Sequence, residues 1–177
     1  MRALAALVGS MLLLAPGLAW AAGMDDLGKR TPEELQRGIE SAHPATYYVL
    51  ARRLFEDGRR DEAVFWFYLG QLRYRVHLAA RPGLDPTADP ALFSSLSEVV
   101  GRPLNEYAFG DLPRLVKTID EVLAWDAAHP DGFTPRNGLG TVPAGVRQGL
   151  EKLRDYVTQN RAEIRRQREA AGLPNRN

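Results

Sequence analysis

The chain of 177 residues carries 23 Lys and Arg against 22 Asp and Glu, a formal net charge of +1, and contains no cysteine. So even a balance excludes the basic footprint of a nucleic-acid binder. The missing thiols exclude disulfides and thiolate chemistry, so packing alone has to stabilise the fold.

The opening stretch MRALAALVGSMLLLAPGLAWAAG sets a positive Arg2 before an apolar run from Ala3 to Leu14, with Ala19 and Ala21 flanking Trp20. This is the pattern of a secretory signal peptide with an A-x-A cleavage site. Residues 1–21 are expected to be removed on export to the periplasm. The run is shorter than the roughly 20 residues a membrane span needs, and Pro16-Gly17 interrupts it. No stable membrane insertion is expected after cleavage, and no cysteine follows to carry a lipid. Loss of Arg2 leaves 22 basic residues, equal to the 22 acidic ones. Residues 22–30 read as a flexible mature N-terminus, and the remaining length suits one domain with one core.

Thr31-Pro32-Glu33-Glu34 reads as a capping box with proline at the first helical position. The spacing of Leu35, Ile39 and Ala42 predicts a helix of about three turns, stopped by His43-Pro44 because the residue before proline resists the helical region. A second helix is predicted from about Pro44 to Glu56, with Tyr47, Leu50, Ala51 and Leu54 on one stripe. Asp57 to Arg60 make a turn, and Asp61 is expected to cap the third helix. Within that helix the run Val64-Phe65-Trp66-Phe67-Tyr68 has strand propensity taken alone. Its flanks are helical in period: Phe65, Leu69, Leu72, Val76 and Ala79 form one stripe, and Ala63, Phe67 and Gly70 another. Two stripes require cover on more than one face, so this is expected to be the central helix, with its aromatics in the core.

RPGLDPTADP, from Arg81, is a proline-rich loop. Asp89-Pro90 is expected to open and cap a fourth helix bearing Leu92, Leu96, Val99 and Val100 and ending at Gly101. A short turn of helix is predicted at 104–108. Leu112, Leu115, Val116, Ile119, Val122 and Leu123 then give a clean helical stripe that ends at His129-Pro130. Residues Asp131 to Gly145 are dense in Gly and Pro, the longest irregular segment. Val146, Leu150, Leu153, Val157 and Ile164 line a last helix. The expected architecture is therefore a single all-α domain of about six helices over residues 31–164, followed by a polar tail, 165–177, expected to fray.

The sequence Tyr47-x-x-Leu50-Ala51-x-x-Leu54, Gly58, Ala63-x-x-x-Phe67-x-x-Gly70 resembles one tetratricopeptide repeat or the related Sel-type repeat, over about residues 44–73. The resemblance implies a helical hairpin and binding of a protein or peptide. By residue type, Ala51, Ala63 and Gly70 are small enough for two antiparallel helices to approach closely.

The chemistry-bearing residues point away from catalysis. His43, His77 and His129 lack the i, i+4 spacing of a helical metal site. Asp85-x-Thr87-x-Asp89 opens like a calcium loop but has Pro90 where glycine is needed and Leu96 where a bidentate carboxylate is needed. Gly138-x-Gly140 lacks the strand and helix of a dinucleotide site. No enzyme activity, cofactor or metal is expected. The leading expectation is a non-catalytic interaction module that binds another protein, in its narrower form an immunity-type protein neutralising a toxin. The rival is a cell-wall glycan hydrolase using carboxylates near Glu56 or Glu106. Candidate partner-binding residues are Tyr68, Gln71, Arg73, Tyr74 and Arg75 on the central helix, where Tyr and Arg suit interface hot spots. Asn105, Glu106 and Tyr107 form a second polar cluster.

Overall fold

The computed structural model describes residues 26–177, so the expected signal peptide at 1–21 lies outside the described residues. The chain divides into residues 1–30 and 31–177. Within the first, Arg30 pairs with Asp26 at 2.7 Å. The second is all helical and is described below.

The capping box forms as expected at the head of α1 (Pro32–Gln36): Glu34 N–H donates to Thr31 Oγ1 at 3.2 Å, and Thr31 N–H donates to Glu34 Oε2 at 2.8 Å. Thr31→Ala is expected to lower stability by about 1 kcal/mol, read as a shifted urea midpoint at constant slope. The helix is shorter than its hydrophobic spacing predicts. Gly38 takes a left-handed φ of 67°, and the chain restarts as a 3₁₀ turn over Ile39–Ser41. Leu35 and Ile39 are both buried despite the break, which is why their spacing looked like one helix.

Two antiparallel helices, α2 (Ala45–Glu56) and α3 (Arg60–Ala80), make the most extensive packing in the domain. Ala51, Ala63 and Gly70 lie buried in this hairpin. Asp61 does not cap α3: the helix begins one residue earlier, and Asp61 instead accepts a hydrogen bond from Tyr107 Oη at 2.9 Å. The aromatic run is helical, with Trp66, Phe67 and Tyr68 buried. T-shaped contacts join Phe67 to Tyr48 at 5.5 Å and Trp66 to Trp125 at 5.8 Å.

Next comes α4 (Asp89–Leu96), which passes through a π-helical turn at Ser97–Gly101 into α5 (Arg102–Ala108) without a break. Gly101 is therefore not a helix end. Its role is clearance, since a Cβ there would lie 2.9 Å from the Phe67 ring. Asp89 is the first residue of α4, preceded by Ala88 at the cap position, and its carboxylate turns inward instead of capping the helix.

The domain is completed by α6 (Leu112–Ala128), α7 (Val142–Gln159) and α8 (Arg161–Ala170). Asp111 caps α6 by accepting from Arg114 N–H at 3.0 Å. α3 contacts α2, α5, α6 and α7, the central placement that its two stripes require. The terminal segment, expected to fray, contacts the loop before α6 and the end of α5 through its backbone, Asn177 and Arg176. Arg176 N–H donates to Gly110 O at 2.7 Å, Asn177 Nδ2 to Asp111 Oδ1 at 2.8 Å, and the Arg176 guanidinium lies 3.5 Å over the Tyr107 ring. An apolar count misses such polar docking. Among the described residues no helix is long and apolar enough to cross a membrane.

Candidate functional site

The eight candidate contact residues do not share one environment. Tyr68, Gln71 and Arg75 line a cavity of about 230 Å³ between α3 and α7, with Leu72, Leu150 and Leu153 among its apolar walls. Tyr68 is buried at the wall and donates from Oη to Asn105 Oδ1 at 2.9 Å. Arg75 is exposed at the mouth, with its guanidinium 5.7 Å from the Phe93 ring. Asn105 and Glu106 border a second, shallower basin of about 420 Å³ between α5, α7 and α8, where Tyr156 is half exposed. Tyr107 turns away from it, packing edge-on against Phe55 at 5.8 Å. Glu56, considered for hydrolysis, accepts from Arg52 of its own helix at 2.8 Å on the surface.

Arg73 and Tyr74 are not surface residues. Both are buried, because α3 is covered on nearly all sides. Arg73 is 1% exposed and ties together four segments: it donates to Glu40 O (3.2 Å), Tyr47 Oη (2.8 Å) and His129 O (2.8 Å), and pairs with Asp126 at 3.4 Å. Its guanidinium also lies 4.9 Å from the Trp125 ring, against which His129 stacks at 3.9 Å. Arg136, in the long loop, reaches both oxygens of Asp126 at 2.6 Å. That loop is thereby fastened to the core by an ion pair.

Tyr74 belongs to a different cluster that linear spacing did not reveal. His77 Nε2 sits 2.8 Å from Asp89 Oδ2, His43 Nε2 sits 3.1 Å from Asp89 Oδ1, and Tyr74 Oη donates to the same Oδ1 at 3.2 Å. Phe133 and Thr134 of the long loop complete the enclosure. The Phe133 ring lies 4.8 Å from His43 and 5.1 Å from His77, and Thr134 Oγ1 is 3.2 Å from His77 Nδ1. The tautomers follow from the other ring nitrogens. Ala45 N–H donates to His43 Nδ1 at 3.1 Å and Arg81 donates to His77 Nδ1, so each neutral imidazole carries its proton on Nε2, toward Asp89. Burial pushes the His43 pKa below that of a free imidazole, against the opposing pull of Asp89. For Asp89 burial acts to raise the pKa, but the His77 hydrogen bond and the nearby imidazoles together hold it below the ordinary carboxylate value.

Over 92 residues, 49% of the chain, the sequence is 36% identical to an uncharacterized protein of Haemophilus influenzae. The chain spans about a third (34%) of that relative's length. No family model matches the chain, and no solved structure matches it.

Proposed function

We propose that the chain is an exported, periplasmic interaction module without catalytic activity, and that it grips a partner protein in the groove between α3 and α7. The observation that carries this reading is the composition of the groove. Leu72, Leu150 and Leu153 give an apolar wall to the cavity of about 230 Å³, with Gln71 and the cationic Arg75 beside it. An apolar centre with a polar, charged rim is how protein interfaces are built. No carboxylate lines the groove beside Arg75, so the fitting ligand is a segment that places Asp or Glu beside a Leu- or Phe-sized side chain. Inhibition of a secreted toxin is the narrower form of the same reading.

Gly149 supplies a clean test. A Cβ built there meets nothing within 4 Å, and the residue lines the groove on α7. Gly149→Leu is expected to fill the groove while raising helix propensity by about 1 kcal/mol, so the variant is at least as stable as the parent. The exported form would be mixed with periplasmic extract and the retained protein quantified. A stoichiometric partner is expected for the parent, with at least tenfold weaker retention for both Gly149→Leu and Arg75→Glu. A partner held equally by both variants would move the contact surface elsewhere. Release of wall fragments that disappears on Glu106→Gln would replace the proposal with the hydrolase.

A further inference from the structure

The fold brings together His43 at the entrance of α2, His77 near the end of α3 and Asp89 at the start of α4, with one ligand atom of each within 4.8 Å of the other two. Two imidazoles and one carboxylate suit a divalent first-row transition ion, and three protein ligands leave a coordination position for water. Donors about 2.0–2.1 Å from a tetrahedral ion stand about 3.3 Å apart. The Nε2 to carboxylate distances of 2.8 and 3.1 Å are already close to this. The His77 side chain is 4% exposed, whereas those of His43 and Asp89 are 17% and 20% exposed, so the cluster is walled on one side and open at an edge.

The surrounding groups fit a ligand role for His77 and Asp89. With a metal on Nε2 the His77 proton moves to Nδ1, where Thr134 Oγ1 at 3.2 Å can accept it. Tyr74 Oη orients Asp89 through Oδ1, leaving Oδ2 for the ion. Two contacts resist. Arg81 donates to His77 Nδ1 and must swing out, which its exposed side chain permits. Ala45 N–H donates to His43 Nδ1 and must release it; as the first amide of α2 it has no partner to lose within the helix. His43 is therefore the weakest of the three ligands.

We propose that His77, Asp89 and His43 bind one divalent transition-metal ion of the Zn²⁺ type, joining α2, α3 and α4 independently of the groove between α3 and α7. Binding exchanges the two Nε2–H···carboxylate bonds for coordination. In the complex each imidazole is neutral, coordinating through Nε2 and carrying its one ring proton on Nδ1.

Co²⁺ titrated into the purified metal-free protein provides a visible probe. The expected result is a ligand-field band that saturates at one equivalent and is displaced by Zn²⁺. His129→Ala should leave it unchanged. His77→Ala and Asp89→Asn should lose it, and Thr134→Val should weaken binding about tenfold. Arg81→Ala should bind about tenfold tighter, because a guanidinium no longer opposes the ion. The proposal is overturned if the wild-type protein shows no saturable band, a result independent of whether any variant folds. It is equally overturned if His77→Ala, with native helical circular dichroism, binds as tightly as the parent.

Discussion

Asp126→Ala is expected to cost the fold about 3–5 kcal/mol, the penalty for stranding a buried charge. The Arg73 side chain is 1% exposed and that of Asp126 is 2% exposed, so neither water nor salt can replace the lost carboxylate. Arg73 would retain its bonds to Glu40 O, Tyr47 Oη and His129 O, but all three acceptors are neutral. Arg136, 34% exposed, would turn to solvent and release the part of the long loop beyond Thr134, because both of its hydrogen bonds run to Asp126. Two readouts follow from one substitution: a lowered urea midpoint, and faster proteolysis within residues 135–141. Asp126→Asn keeps an acceptor and should lose less. The double variant Arg73→Met, Asp126→Leu should be more stable than the sum of its single losses by at least about 1 kcal/mol, since neither charge is then left alone. Strict additivity would show that the pair is not the source of the effect.

The hairpin was readable from the sequence because its signals are local. Apolar residues at three- and four-residue spacing, a Gly58 turn and small residues at the crossing all lie within 30 positions of one another, and the helices form where that spacing places them. Local signals also explain the misses. Gly101 and Asp89 have the identities of a helix stop and a helix cap, yet both are used for tertiary contacts, to Phe67 and to the histidines, which no window of neighbouring residues contains. The cluster around Asp89 joins positions 46, 12 and 57 apart in its His43–Asp89, His77–Asp89 and His77–Thr134 contacts. One signal could have located half of it. Ala63, Phe67, Gly70, Tyr74 and His77 follow one another at steps of four, three, four and three, and all five are buried. A polar residue extending a buried stripe must find a partner, so Tyr74 and His77 were candidates for an internal site and not for the surface. Arg73 misleads in the opposite way: arginine is read as exposed by default, and only the convergence of three acceptors and a carboxylate shows why it is not.

Gly70→Ala should lower stability by about 3 kcal/mol, although the same change at an open helical position would raise it by about 1 kcal/mol. The reversal of sign comes from the hairpin crossing. A Cβ on Gly70 would stand 2.5 Å from Tyr47 Cβ, an atom fixed to the α2 backbone, so no rotamer change can relieve the contact and the two helices must move apart. Tyr47 cannot follow freely either, because its Oη donates to Ile39 O at 2.9 Å and accepts from Arg73 at 2.8 Å. Displacing it therefore loosens the arginine knot as well as the packing of α2 on α3. Gly149→Ala on α7 is the matched control, since its Cβ meets nothing within 4 Å and only the propensity gain remains. Thermal and urea unfolding of the two variants should move in opposite directions from the parent. If Gly70→Ala proves as stable as Gly149→Ala, the close crossing of α2 and α3 is not what the small residue at position 70 provides.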